Sequence, residues 1–161
     1  MAAEERSEDL AAVHERYMRE ALKEAEQALE SHYRPVGAVI VQQGRIIGRA
    51  HHQVKLLRDP TAHAAIIAIT QAANELRSDQ LGDAVIYVTE EPCPMCVGAL
   101  LLSGAARLIY GAANPRRGAC GSVVDLTRNE RLNRRLTVIN DVLAGECYAL
   151  LRRSTASAHT D

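Results

Sequence analysis

Residues 84–103 read AVIYVTEEPCPMCVGALLLS, and this stretch decides the fold. The apolar run over 84–89 predicts a buried strand, and Pro92 separates it from a helix predicted over 93–104. Cys93 and Cys96 lie three residues apart at the start of that helix, so both thiols point to one side. A helix N-terminus favours thiolate over thiol, and thiolate is the form that binds metal. The stretch therefore predicts a strand–helix unit that presents two metal-binding sulfur atoms.

The chain before this unit alternates between helical and strand patterns. Apolar residues at helical spacing predict an amphipathic helix over 9–30. Two apolar runs, 36–41 and 45–50, predict a hairpin joined by a turn at 42–44. The segment 51–60 is expected to be a loop. Thr61 is expected to cap a helix over 62–76.

After the unit, the pattern predicts a strand over 107–110, a loop over 111–121, a strand over 136–139 and a helix over 141–153. Strands that alternate with helices predict a mixed, three-layer α/β fold. Residues 1–153 are expected to form a single domain, and 154–161 a disordered tail. The helix over 93–104 has no polar face, so either a subunit interface or the monomer itself must bury it.

The composition limits the classes of protein that this chain can belong to. It has 161 residues, which suits one domain, and it has neither Phe nor Trp. Its longest apolar run is shorter than the roughly 20 residues that span a bilayer. The acidic start predicts no secretory signal. The four cysteines are not spaced like a disulfide framework, so a reducing, cytoplasmic location is expected. The roles of Cys120 and Cys147 stay open.

Charge is spread unevenly along the chain, although the net charge is −1. Nine arginines and five acidic residues follow residue 106. Arginine makes planar, bidentate contacts with phosphate or carboxylate. This half of the chain therefore either binds phosphate groups or is a solvated surface with ion pairs.

His63 completes a candidate metal site. It precedes the apolar part of the predicted helix over 62–76, so two helix starts could hold one ion through His63, Cys93 and Cys96. Three protein ligands leave a fourth tetrahedral position open, which is typical of catalytic zinc. A single CxxC could instead be redox-active or half of a structural zinc site, and a lone histidine on an apolar helix is more often a core residue.

The full arrangement, His63-Ala64-Ala65 followed by Pro92-Cys93-Pro94-Met95-Cys96, matches the zinc deaminase signature H-x-E…P-C-x-x-C at every defined position except 65. The chain resembles the cytidine deaminase superfamily over about 14–153, and within it the bacterial tRNA adenosine deaminases and their eukaryotic counterparts. The segments that carry the resemblance are 35–39, 59–64, 87–96 and 118–122.

The resemblance implies a five-stranded mixed sheet flanked by helices in an α/β/α sandwich. It also implies bound Zn²⁺ and a homodimer whose active sites lie near the subunit boundary. Further implied are tRNA or a small nucleobase as substrate, and no membrane association. The substrate contacts that it implies are Val36, His52, Ala64, Pro92, Asn114, Arg116 and Arg117.

Position 65 is where the chain departs from the chemistry of this family. The resemblance assigns a proton-shuttling glutamate to that position, and a methyl group can neither accept nor donate a proton. Glu90 and Glu91 flank the cysteine motif, but neither is expected to substitute for that glutamate, and Glu91, which belongs to the family's E-P-C pattern, is expected to have a structural role. The chain is therefore expected to bind zinc and turn over little. Ala65 is either a deliberate replacement, favoured because the other site elements are in place, or a natural feature of a non-catalytic subunit.

Three further departures concern the substrate and leave the metal ligands intact. The segment before Pro35 carries Tyr33-Arg34 where the family usually has an acid. His52 occupies the position of a substrate-binding asparagine, and only Arg152-Arg153 remain of a long basic C-terminal stretch. The leading hypothesis is deamination of adenosine to inosine in tRNA. The alternatives are a deaminase of free guanine or a related base, and a zinc-binding pseudo-deaminase subunit.

Overall fold

The structure is a computed structural model that describes residues 2–132 and 134–155. Five strands form one mixed sheet, and helices pack on both of its faces. The elements in chain order are α1 (Ala2–Glu30), β1 (Gly37–Gln42), β2 (Arg45–His51), α2 (Val54–Leu57), α3 (Ala64–Leu76), β3 (Val85–Glu90), α4 (Pro94–Ser103), β4 (Arg107–Ala112), β5 (Thr137–Ile139) and α5 (Ala144–Thr155). A single 3₁₀ turn, Glu130–Leu132, precedes β5. The predicted α/β class and five-stranded mixed sheet are confirmed.

The strand order is β2-β1-β3-β4-β5. β1 pairs antiparallel with both β2 and β3, whereas the β3–β4 and β4–β5 pairs are parallel. The parallel half is the strand–helix–strand unit that contains α4. Because loops at the carboxyl ends of parallel strands meet at one edge of the sheet, the segments after β3 and β4 are brought together there.

Two apolar layers hold the helices to the sheet. Side chains alternate across each strand, so Ile86 and Val88 belong to the layer with α3 and α4, and Tyr87 belongs to the layer with α1 and α5. α1 lies directly on β1, because Gly37 has no Cβ; a Cβ there would overlap the backbone of Ala21 and Ala25. α3 and α4 share the other face, which brings their N-termini together.

Several element boundaries differ from the sequence prediction. The segment expected to be a loop, 51–60, contains the one-turn helix α2. Thr61 does not cap α3: its backbone N–H and its hydroxyl both donate to Asp59 Oδ1, at 2.8 Å and 2.7 Å, and His63 is the N-cap. α5 continues to Thr155, two residues beyond the predicted domain end. Residues 156–161 lie outside the described residues, so the disordered tail stays a prediction.

α4 is buried on one side only. Val97 and Leu100 are fully buried, whereas Leu102 is 75% exposed. Within residues 2–132 and 134–155, no helix is long and apolar enough to cross a membrane.

Candidate metal centre and substrate pocket

The two helix starts that face each other carry the three predicted ligands. His63 is the N-cap of α3, and Cys93 is the N-cap of α4; both have extended backbone conformations. Cys96 lies in the first turn of α4 and is buried. Pro94 starts α4, where its missing N–H costs no helical hydrogen bond. The local sequence thus fixes both helix starts.

The three ligand atoms form a nearly equilateral triangle. His63 Nδ1 lies 3.6 Å from Cys93 Sγ and 3.5 Å from Cys96 Sγ, and the two sulfur atoms are 3.7 Å apart. Tetrahedral zinc with bonds of about 2.05 Å to nitrogen and about 2.3 Å to sulfur requires ligand separations of about 3.5 Å and about 3.8 Å. The residues therefore fit zinc with a fourth position free, as the ligand set predicted from the sequence requires.

The two thiols differ in acidity. The hydrogen bond from the Cys96 thiol, assisted by His63, lowers the pKa of Cys93 to about 3. The same hydrogen bond, together with burial, raises the pKa of Cys96. Cys93 is therefore held as a thiolate, the form in which cysteine ligates zinc.

The other two cysteines do not belong to this centre. The described His, Cys and acidic residues that could hold an ion together are His63, Cys93 and Cys96. Burial raises the pKa of both Cys120 and Cys147 to about 12. A Cβ at Gly111 in β4 would overlap Cys147 Sγ, so Cys147 packs α5 on the sheet. Near neutral pH both are therefore protonated thiols, and they lie outside the His63, Cys93 and Cys96 cluster.

A pocket opens beside the ligand triangle. All of the site residues predicted from the sequence line it: Val36, His52, His63, Ala64, Ala65, Pro92, Cys93, Cys96, Asn114, Arg116 and Arg117. Arg34, Val88, Glu90 and Glu91 line it as well. The geometry thus joins residues from five separate segments, although the contacts that each makes with a substrate stay predictions.

Two of the pocket residues already have partners within the chain. The His52 ring lies 5.2 Å from the His63 ring with a 40° tilt, so His52 covers one side of the metal ligand. Asn114 Oδ1 accepts hydrogen bonds from the backbone N–H groups of Arg116 and Arg117, each at 3.1 Å. Asn114 therefore shapes the turn that carries the two arginines at the mouth of the pocket.

Glu91, for which the sequence predicts a structural role, also lines the pocket. Its carboxylate accepts hydrogen bonds from the backbone N–H groups of Asn114, Cys120 and Ser122, at 2.9, 2.9 and 3.1 Å, and from the Ser122 hydroxyl. Burial raises the pKa of Glu91, but these four hydrogen bonds outweigh it and leave the pKa below its ordinary value. Glu91 thus ties the loop after β4 to the metal motif.

Arg34 and Glu90 form an ion pair inside the pocket. Arg34 donates from Nη2 to Oε1 at 2.6 Å and from Nε to Oε2 at 3.3 Å. Burial raises the pKa of Glu90, against the lowering effects of Arg34, Arg117 and His63. The sequence contains a signal for the buried position of Glu90. Glu90 lies two residues after Val88 and is therefore on the same inward face of an apolar strand.

Comparison with known protein families identifies the family of this chain. Residues 12–145 match the MafB19-like deaminase family. The chain belongs to this family of zinc-type deaminases, within the cytidine deaminase-like superfamily.

Its relatives narrow the relationship further. The chain is 42% identical over 137 residues to the tRNA-specific adenosine deaminase of Bacillus subtilis (strain 168), with 85% of each sequence covered. A structure solved in a study of A-to-I editing by tRNA:A34 deaminases superposes with a TM-score of 0.82 at 37% identity, covering 84% of this chain and 99% of that one. The guanine deaminase from Nitrosomonas europaea superposes with a TM-score of 0.75 at 27% identity, covering 88% of this chain and 84% of the other. The chain is thus a homologue of tRNA adenosine deaminases.

Proposed function

We propose that this scaffold hydrolytically deaminates a nucleobase, with adenosine in a tRNA loop as the substrate and inosine as the product. The observation that carries the proposal is the three-ligand metal triangle beside a pocket whose mouth holds Arg116 and Arg117. A base in a loop can be turned into such a pocket, and arginines can hold the flanking phosphates.

Zinc held by His63, Cys93 and Cys96 would supply the Lewis acid that activates water near neutral pH. In the reaction, water adds to the ring carbon that bears the amine, a ring nitrogen takes a proton, and the amine leaves as ammonia. Val36, His52 and Ala64 on one side, and Pro92 and Asn114 on the other, would enclose the base.

The same proposal includes the effect of position 65. Ala65 is 2% exposed and lines the pocket, so only a methyl group lies where the family signature has a carboxylate. Without that group the proton transfers are unassisted at this position. The chain as written should therefore be slower than its Ala65→Glu variant by about 10²–10⁴-fold.

An apolar groove adjoins the metal triangle and supports a macromolecular substrate. Pro94, Met95, Val123 and Val124 line it, together with the two arginines, and both valines are exposed. This apolar groove can bind the bases on either side of a nucleotide that is turned out of its loop, because bases of any identity can stack on apolar and arginine side chains.

The experiment that tests the substrate uses the zinc-loaded Ala65→Glu variant and measures ammonia release from tRNA, adenosine and guanine. With tRNA as the substrate, replacing Arg116 and Arg117 by Ala should weaken tRNA binding most at low salt, because each lost phosphate contact lowers the salt dependence of binding. Release of ammonia from guanine, with tRNA unbound at low salt and unmodified, would overturn the tRNA proposal.

A second candidate is a free-base deaminase acting on guanine or a related base. His52 counts against tRNA, because the resemblance places a substrate-binding asparagine at this position, and here a histidine packs on the ring of His63. The structural similarity to guanine deaminase and the net charge of −1 point the same way, since a weakly basic surface binds RNA poorly. The substrate panel above separates the two candidates.

We further propose a homodimer. Leu102 of α4 is 75% exposed, on a helix with no polar face, and a second copy of the chain would cover it. Sedimentation should give twice the monomer mass, and Leu102→Glu should give the monomer. Cytoplasmic location and the single domain over 1–153 stay predictions.

A further inference from the structure

The pocket contains a second carboxylate that lies on the same face of the sheet as Ala65. Glu90 is the last residue of β3, and its side chain is 10% exposed. Because side chains alternate along a strand, Glu90 projects with Ile86 and Val88 toward α3, the helix that carries Ala65. Glu90, Val88 and Ala65 line one continuous cavity with His63.

The Glu90 carboxylate is oriented but not saturated by its partner. Arg34 donates one hydrogen bond to each of its oxygen atoms, and each carboxylate oxygen can accept more than one. Only one member of the pair is withdrawn from water, because the Arg34 side chain is 42% exposed whereas the Glu90 side chain is 10% exposed. Arg34 thus stays solvated while it orients a largely desolvated carboxylate that lines the substrate pocket. The balance of burial over the charge of Arg34 raises the pKa of Glu90. This shift makes it a better proton acceptor than an exposed glutamate.

We propose that Glu90 is a catalytic residue of this chain: its carboxylate carries the proton transfers that the missing side chain at position 65 cannot. Glu90 takes a proton from the attacking water as the oxygen bonds to the ring carbon. It passes that proton to the adjacent ring nitrogen. The carboxylate then carries the proton of the added hydroxyl to the amine, so that the C–N bond breaks, ammonia leaves and the hydroxyl oxygen becomes the carbonyl oxygen of the product. Atoms and charge balance, because the carboxylate ends as it began.

This inference rests on the proposed deaminase function. An assay of four zinc-loaded proteins distinguishes failure of the Glu90 role from failure of the proposed function. These are the parent, Glu90→Gln, Ala65→Glu and the double variant, each assayed for ammonia release on the best substrate of Ala65→Glu. Glu90→Gln should slow the parent at least about tenfold, because Glu90 recovers part of the 10²–10⁴-fold contribution of a positioned acid–base group. In the Ala65→Glu background the same change should cost less than about threefold, because groups that do one job are not additive.

Three outcomes of this assay overturn the role of Glu90 while leaving the proposed function intact. In the first, the parent has no measurable rate although Ala65→Glu is active. In the second, the parent and Glu90→Gln release ammonia at the same rate. In the third, Glu90→Gln lowers the rate by the same factor in the parent and in the Ala65→Glu background. If Ala65→Glu itself releases no ammonia from any substrate, the proposed function fails instead.

A binding measurement tests Glu90 without turnover. Purine ribonucleoside has a hydrogen atom where adenosine has the amine. When the active site adds water across its C6–N1 bond, with hydroxyl on carbon and the proton on nitrogen, the hydrate has no leaving group and stays bound. A carboxylate that delivers that proton stabilises the hydrate, as expected for a transition-state analogue. The parent should bind this probe at least tenfold more tightly than Glu90→Gln, by calorimetry and by the ultraviolet change on hydration, and equal affinity would overturn the proposal.

Two controls exclude a purely structural effect. Glu90→Asp keeps the acid and should retain part of the rate and of the probe binding. Glu75→Gln changes an acid that is 55% exposed and pairs with Arg45 on the surface, and it should leave both unchanged. If Glu90→Gln lowers the melting temperature, the test depends on Glu90→Asp. A Glu90→Asp protein that is folded and holds zinc, but is no faster and binds the probe no more tightly than Glu90→Gln, overturns the role of the carboxylate.

Discussion

Replacing Glu91 by Ala should destabilise the loop that follows β4 more than any surface substitution. The change leaves the backbone N–H groups of Asn114, Cys120 and Ser122 without their acceptor. A donor left unsatisfied away from water costs about 1–3 kcal/mol; Asn114 is buried and Cys120 is half-buried, whereas Ser122 is exposed, so the free energy of unfolding should fall by at least about 2 kcal/mol. That is a large part of the 5–15 kcal/mol typical of a domain.

Urea unfolding at pH 7, with zinc saturating, measures this loss for the parent, for Glu91→Ala and for Glu75→Ala as an exposed control. The control should change stability by less than about 1 kcal/mol, because a surface ion pair contributes little. Hydrogen exchange should also accelerate at the amides of 114, 120 and 122. A loss below about 1 kcal/mol, or an equal loss in the control, would refute the assignment of Glu91 as the anchor of this loop.

The pH dependence gives an independent check on Glu91. Its folded pKa lies below the ordinary value of 4.5, so the stabilisation is fully present above about pH 4.5 and is lost as the pH falls through the folded pKa. The stability difference between parent and Glu91→Ala should therefore shrink below pH 4.5. The series is run without metal, so that loss of zinc at low pH does not contribute, and protonation of Cys93 affects both proteins alike and cancels in the difference. A difference that stays constant down to pH 3 would contradict the ionised carboxylate.

Gly37→Ala should lose at least about 2 kcal/mol, measured by thermal unfolding, because the new Cβ overlaps the α1 backbone. The matched control Gly145→Ala in α5 has open space around its new Cβ and should be neutral or stabilising by about 0.5–1 kcal/mol, so equal effects would be inconsistent with this packing. Cys93→Ser should lose most of the bound zinc, measured by metal analysis, because it removes the thiolate ligand; full retention would disprove the ligand set.

The sheet and the metal ligands could be predicted because their signals are local and periodic. The strand patterns around β1, β3 and β4 lie within two residues of the observed elements. Ligand spacing in the CxxC motif, together with one histidine at a helix start, was enough to identify the triangle. These features depend on residues close in sequence, where helix and strand periods act directly.

The boundaries and the pocket wall depended on contacts that the sequence does not encode locally. α2 is a single turn, Val54–Leu57, whose N-cap Gln53 makes no side-chain capping bond, so no capping signal marked it. Arg34 and Glu90 lie 56 residues apart, and only the antiparallel β1–β3 pairing brings them together. The partners of Glu91 come from a loop more than twenty residues away, so these contacts could not be predicted without the fold.

The comparison that tests the central claim most directly is the turnover of the zinc-loaded chain against that of its Ala65→Glu variant, on the same substrate and at equal zinc content. The three predicted zinc ligands lie together, and a methyl group lies at position 65, where the deaminase signature has a carboxylate. We therefore predict that the variant releases ammonia about 10²–10⁴-fold faster than the parent, with unchanged metal binding. Equal turnover of the two proteins would contradict this prediction.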